Sequence, residues 1–211
     1  MIVAIEGIDG AGKNTLVRAL QQEIRADYLA FPRYEDSVHA KLAQEALYGR
    51  MGDLSESIYG MATLFALDRR GAAERLRAAS VSEEVLLLDR YVASNAAYSS
   101  ARAHDEALAG WVADLEFEQF ALPRPTLQVL LDTDVELAAQ RAAHRETQEA
   151  HRTRDQYESD AGLQARTAAA YRELAKQQWA SPWVVVSTDA DVRTVAADIV
   201  RRLRTLAECQ N

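Results

Sequence analysis

The 211-residue chain contains a single cysteine, Cys209, close to its end. One thiol closes no intramolecular disulfide and builds no cysteine cage for a metal, which fits a reducing compartment. Positive charge is also short, since 24 Lys and Arg against 32 Asp and Glu leave a net charge of −8. That balance opposes general attraction to DNA, RNA or an anionic membrane, so any basic site has to be local. No apolar run approaches membrane length, and the opening MIVAIEGIDG passes from an apolar strand into a glycine turn without a basic leader. Neither a secretion signal nor a membrane span is expected. Internal repeats and long polar tracts are lacking, and His39, His104, His144 and His151 show no metal-ligand spacing. The dispersed Trp111, Trp179 and Trp183 have no basic stripe beside them and read as core or interface residues.

What remains is an ordinary globular composition, 48% hydrophobic and 27% charged. The length suits one core and a single domain over residues 1–211. Short apolar runs occur at Ile2–Ile5, Tyr28–Phe31, Val85–Leu88, Leu127–Leu131 and Trp183–Val186. Runs without alternation suit parallel strands buried on both faces. Leu16, Leu20 and Ile24 recur at helical spacing after the first run. The stretch Ser55–Ala79 reads as one long helix despite Gly60 and Gly71, and further helices are expected at Glu106–Phe120, Val135–Ala143, Ala161–Gln178 and Val192–Leu206. The predicted architecture is α/β, a five-stranded parallel sheet covered by helices.

The strongest local signal is Gly7-Ile8-Asp9-Gly10-Ala11-Gly12-Lys13-Asn14-Thr15, placed between the first strand and a helix. A loop that wraps phosphate needs small residues for close backbone approach, and the following helix start offers unpaired N–H groups. Lys13 then reaches the β and γ phosphates of a nucleoside triphosphate. The pattern wants Ser or Thr directly after the lysine for Mg²⁺, whereas here Asn14 precedes Thr15. Asp9 is unusual in a loop that holds anions; it is either a turn residue or a carboxylate that approaches Mg²⁺ or a basic partner. Asp89 and Arg90 end the Val85–Leu88 run, where ligands of parallel sheets gather, although a strand-end ion pair would also account for them. Between two helical patterns, about 143–155 is polar and arginine-rich, with Arg145, Arg152 and Arg154 following Arg141. This is either a solvated loop or a basic lid over phosphate.

The segments EGIDGAGKNT (6–15), FPRY (31–34), LFALDR (64–69), DRYVASNAAYS (89–99) and RTRDQYE (152–158) together resemble thymidylate kinases, especially the mycobacterial and related actinobacterial form. The resemblance spans nearly the whole chain in order. It implies the P-loop nucleoside monophosphate kinase fold, with ATP and Mg²⁺ used to phosphorylate thymidine monophosphate (dTMP) to the diphosphate on the route to dTTP. It also implies a cytoplasmic homodimer. Residue by residue, it implies that Gly7, Gly10, Ala11, Gly12, Lys13, Asn14 and Thr15 hold ATP with Arg145 and Arg152 of the lid. Phe65 is implied to stack on thymine, Arg69, Ser94 and Asn95 to read the base, and Tyr98 to lie beside the deoxyribose. Tyr34 and Arg90 are implied acceptor-phosphate contacts, shaped by Phe31 and Pro32. Asp9, Asp155, Tyr157 and Glu158 are implied in the acceptor and metal region, with Lys13, Arg90, Asp9 and Arg145 as the catalytic groups.

Several of these residues also suit a plain structural role. Phe65 sits in the apolar pattern of a helix and could be core, and Asp155 with Glu158 has the spacing of a capping box. Tyr91 could equally pack. A kinase for another nucleoside or nucleotide is the near alternative. A GTP-responsive module would lack an NKxD-like sequence, and a purely structural protein would leave the phosphate loop, Asp89-Arg90 and the basic segment without a purpose.

Overall fold

In the computed structural model, which describes residues 1–148, 155–187 and 189–208, five strands form one parallel sheet in the order β2-β3-β1-β4-β5. β1 (Ile2–Glu6) leads through the glycine loop into α1 (Lys13–Glu23), and β2 (Ala26–Ala30) is followed by α2 (Val38–Leu47). A 3-10 turn at Leu54–Glu56 precedes α3 (Ile58–Arg70) and α4 (Ala73–Ser80). β3 (Val85–Asp89) then runs into α5 (Val92–Ala103), and α6 (Ala107–Ala113) continues as a π-helical turn at Asp114–Gln119. β4 (Leu127–Asp132), α7 (Val135–Gln148), α8 (Gln156–Ser159), α9 (Ala161–Lys176), β5 (Trp183–Ser187) and α10 (Val192–Glu208) complete the order.

Successive residues of a strand face opposite sides of the sheet, and two cores result. Ile2, Ala4, Leu86, Leu88 and Leu130 pack on Ala96 and Ala97 of α5, Val112 of α6 and Tyr171 and Leu174 of α9. Val3, Ile5, Leu87, Leu127 and Val129 face the other way, onto Leu16 and Leu20 of α1 and Ile199 and Leu203 of α10. All five residues of β1 are buried because β1 has a strand on each side and helices on both faces. β2 is an edge strand with its middle exposed, which is why its sequence looks less apolar.

Two long-helix expectations are corrected. Ser57 caps α3 by accepting from Gly60 N at 3.0 Å, and at Gly71 an added Cβ would meet Arg33 Nη2 at 2.7 Å. The stretch 55–79 is therefore a 3-10 turn and two helices, broken where the Arg33 guanidinium, paired with Asp68, lies against the backbone. Residues 106–120 likewise divide into α6 and the π turn. Two helices have no clear sequence signal. α5 is built of alanine and serine and is buried on nearly every side, so it has no polar face to create an amphipathic pattern. α2 is short, and its apolar face rests on Ala40, Ala43, Ala46 and Leu47.

The loop after β1 bends through Gly7, Gly10 and Gly12, all at positive φ. Gly10 is also pressed against α7, since a Cβ there would fall 2.1 Å from the Ala138 carbonyl oxygen, whereas Gly12 has open space. Left-handed backbone alone costs a side chain roughly 1–2 kcal/mol. Gly12→Ala is expected to lose about that much stability, and Gly10→Ala at least about 2 kcal/mol because the loop must also back away from α7. Urea unfolding of the two variants checks the order, and equal losses would contradict it.

Candidate active site

At the carboxyl ends of β1 and β3 lies a cleft of about 730 Å³, open at one side. Its floor at one end is the glycine loop. Gly12 is the cap residue of α1 and supplies no side-chain cap, so the first N–H groups of the helix are left for an anion. Lys13 is buried, with Nζ donating to the carbonyls of Gly7 at 3.3 Å and Ile8 at 3.2 Å. Burial and the Arg90 charge lower the Lys13 pKa, while Asp89, Asp9 and Glu6 pull it back up.

β1 and β3 are neighbours in register, Ile5 beside Asp89, and this brings Asp9 and Arg90 face to face. Arg90 Nη2 donates to Asp9 Oδ1 at 2.7 Å, and the Tyr98 hydroxyl donates to Asp9 Oδ2 at 3.0 Å. Burial works against the Asp9 charge, but Arg90, Lys13 and these hydrogen bonds outweigh it and hold the carboxyl well below the usual range. Arg90 takes a positive φ of 65°, rare for a non-glycine residue, and its amide donates to Ile5 O at 2.9 Å. Its Nη1 donates to Ser94 Oγ at 3.2 Å and Tyr171 Oη at 3.3 Å.

Beneath this pair is a carboxylate that sequence reasoning missed. Glu6, fully buried at the end of β1, accepts from Tyr91 N at 2.8 Å, Ser94 Oγ at 2.7 Å and Tyr171 Oη at 3.0 Å. Burial raises its pKa even though all three donors and Arg90 favour its charge. Glu6 thus ties the sheet to α5 and α9 directly behind Arg90. Its signal was available, since an acid ending an apolar strand one residue before a glycine loop is out of place unless paired.

The far end of the cleft is different in character. Phe65 and Met61 of α3 and Leu47 of α2 form an apolar wall, with Arg69, Asn95 and Ser99 as its polar groups. Arg69 donates from Nε and Nη2 to Glu116 at 2.5 and 2.6 Å, a fully buried pair that no sequence spacing announces. The Tyr98 and Tyr157 rings stack at 6.0 Å and 13°, and Arg102 of α5 lies over Tyr157 and donates to its hydroxyl. On the other wall, Leu137, Gln140, Arg141 and His144 line one side of α7 at helical spacing.

The structure brings Asp9, Gly10, Gly12, Lys13, Asn14, Thr15, Phe31, Pro32, Tyr34, Phe65, Arg69, Arg90, Ser94, Asn95, Tyr98, Asp155, Tyr157 and Glu158 to this one cleft. Gly7 and Ala11 belong to the loop but do not line it. Arg145 falls on α7, whose described side chains end at His144; α7 runs on to Gln148, so the first part of the expected loop is helical, while 149–154, with Arg152, lie outside the described residues. Tyr91 is core, packed near Phe31 and Phe117 with its hydroxyl donating to Pro123 O at 3.0 Å. Asp155 is at once a helix cap, accepting from Tyr157 N and Glu158 N at 2.8 and 2.9 Å, and a residue of the cleft.

Carboxylates from two segments, Asp9 in the glycine loop and Asp155 and Glu158 at the start of α8, line the cleft, and Asp89 Oδ1 is buried with no hydrogen-bond partner. Oxygen donors suit a hard cation such as Mg²⁺. Among the described residues, no group of three or more His, Cys, Asp or Glu side chains is placed to hold a metal ion.

A parallel sheet in this order, with a phosphate loop after its central strand and an arginine at the end of the neighbouring strand, defines a P-loop kinase of the nucleoside monophosphate type. The family model for thymidylate kinase matches residues 5–199. The chain belongs to the thymidylate kinase family. It is similar to the thymidylate kinase of Mycobacterium tuberculosis, 51% identical over 207 residues, covering 94% of this chain and 97% of that one. A probable thymidylate kinase of Archaeoglobus fulgidus is 33% identical over 152 residues, covering 69% and 70%. Two solved structures share the fold. Thymidylate kinase from Candida albicans has a TM-score of 0.72 at 20% identity, covering 97% of this chain and 91% of that one. Deoxyadenosine kinase from M. mycoides has a TM-score of 0.68 at 19% identity, covering 97% and 100%.

Asp155 offers a pH test of this site. Burial first, then the charges of Glu158 and Asp9, raise its carboxyl to about 6. Between the ordinary Asp value, about 3.9, and that raised value, the folded state binds more protons than the unfolded one. The Asp155 contribution to stability therefore falls as pH rises through the window. Asp155→Asn, which keeps a capping side chain, is expected to gain on the order of 1 to 2 kcal/mol relative to the parent between pH 4 and pH 7. Urea unfolding at intervals across that range checks it, and a constant difference would rule it out.

Proposed function

We propose that this chain transfers the γ-phosphoryl group of ATP to dTMP, giving thymidine diphosphate and ADP. The observation that carries the reading is the single cleft in which the Lys13 loop and the Phe65, Arg69 and Asn95 wall meet across the Asp9–Arg90 pair. ATP phosphates lie on the loop and the N-terminus of α1, with Asn14 and Thr15 at the helix start. The thymine ring lies on Phe65 against Arg69 and Asn95, and Tyr98 flanks the deoxyribose. The acceptor phosphate is held between Tyr34 and Arg90.

An acceptor phosphate oxygen is already anionic, so the step needs positioning and charge neutralisation more than a base. That oxygen bonds to the γ phosphorus while the bond to the β–γ bridging oxygen breaks and its electrons leave with ADP. Lys13 holds the donor phosphates and Arg90 the acceptor, which keeps two anions in line. Asp9 holds Arg90 in place, with Tyr98 as its second partner. Mg²⁺, when bound, would neutralise phosphate charge between donor and acceptor; Asp9 and Glu158 would hold it. The arginine-rich segment, with Arg145 and Arg152, covers the phosphates and excludes water as the lid of one kinase domain.

The family resemblance supports a cytoplasmic setting; among the described residues no helix is long and apolar enough to cross a membrane. The same resemblance supports a homodimer.

The purified chain with ATP and Mg²⁺ is expected to convert dTMP in preference to deoxyuridine monophosphate by about tenfold, since one methyl group in a fitted pocket is worth about 1 to 3 kcal/mol. Lys13→Ala and Arg90→Ala are each expected to lower kcat roughly a hundred- to a thousandfold. Quantified diphosphate products check both. Absence of thymidine diphosphate from a folded, ATP-binding preparation would reject the activity.

A further inference from the structure

The π turn after α6 carries Glu116 and Phe117 inward, while Glu118 on the same turn is exposed. Glu116 has no exposed surface and accepts three hydrogen bonds there. Arg69 Nε and Nη2 supply two, and Asn95 Nδ2 supplies the third to Oε1 at 2.8 Å. The second hydrogen of the Asn95 amide goes to the Ala62 carbonyl at 3.0 Å. A carboxylate and a carbonyl can only accept, so both fix the nitrogen of Asn95 toward themselves and its oxygen away. Asn95 Oδ1 keeps only a long contact from Ser99 Oγ at 3.4 Å, which leaves it acceptor capacity. Among the described residues, the guanidinium of Arg69 likewise keeps Nη1 without a hydrogen bond. Both side chains line the apolar end of the cleft.

A buried ion pair of this kind is no better for stability than apolar packing of the same volume. What it does supply is polarity. We propose that Glu116 is a positioning residue that fixes a donor, Arg69 Nη1, beside an acceptor, Asn95 Oδ1, and so selects a 4-keto, N3–H pyrimidine over a 4-amino one. Thymine presents an oxygen and an N–H in that order. Cytosine presents an amino group and a bare nitrogen, which sets donor against donor and acceptor against acceptor. The inference rests on the reading that this cleft holds a pyrimidine monophosphate, and it deepens that reading by naming what enforces the choice of edge.

Glu116→Gln tests it with almost no change in volume. A glutamine has one acceptor oxygen where Glu116 has two, so it cannot accept from Arg69 Nε and Nη2 together; its nitrogen meets a guanidinium N–H, the guanidinium turns, and Nη1 leaves its place beside Asn95 Oδ1. The ratio of kcat/KM for dTMP over deoxycytidine monophosphate is expected to fall at least tenfold in a variant that still melts cooperatively by circular dichroism. If both substrates lose the same factor and the ratio stands, Glu116 is only structural and the proposal is overturned. Should the variant not fold, the unaltered protein decides by NMR. The side-chain amide protons of Asn95 are expected to exchange slowly both without ligand and with thymidine bound, and ordinary exchange, or direct contact between those protons and the base, overturns the proposal. If the unaltered protein makes no thymidine diphosphate, the functional reading itself fails first. If it does and the Glu116→Gln ratio is unchanged, the inference alone fails.

Discussion

The Asp9–Arg90 pair is the contact on which the rest of the site depends. It joins the loop after β1 to the residue that ends β3, and it exists because those two strands are adjacent and in register. Arg90 holds a backbone conformation that costs a non-glycine residue about 1–2 kcal/mol, so its surroundings must over-determine it. They do so on every side: Asp9 in front, Ser94 and Tyr171 at the other nitrogen, and the Tyr98 ring 5.4 Å away. A guanidinium held this way loses little freedom when it meets a phosphate.

The same neighbourhood accounts for how an acidic protein handles anions. The chain carries a net charge of −8, yet the cleft gathers Lys13, Arg90, Arg141 and the start of α1. Asp9 and Glu6 stand close behind these groups. Donors already in place, three for Glu6 and two for Asp9, offset their burial, fully for Asp9 and in part for Glu6, so the cations are oriented rather than simply accumulated. At the other end, Glu116 plays the corresponding part for Arg69 and Asn95. Each end of the cleft thus pairs an arginine that lines it with an acid, Arg90 with Asp9 and Arg69 with Glu116.

Much of this was legible in the sequence. Unalternating runs such as Val85–Leu88 and Leu127–Leu131 point to a parallel sheet because burial on both faces leaves no polar phase. The glycine loop was legible because close backbone approach admits few residue types. α5 was not, since a helix of alanine and serine buried all round has no apolar face to stand out. The single helix expected at 55–79 failed because a packing partner, Arg33, decides where Gly71 interrupts it. Phe65 is half buried in the α3 pattern and also lines the cleft.

By itself, the sequence determined the class of fold, the phosphate loop and the segments that compose the cleft, because each depends on local spacing and residue type. Only the tertiary structure decided that Glu6 and Glu116 stand behind the two arginines. Those bonds join residues 88 positions apart in Glu6–Ser94 and 47 apart in Arg69–Glu116. No period or motif encodes such a pairing. It arises when the sheet order and the π turn bring buried charges close enough that each must find the other.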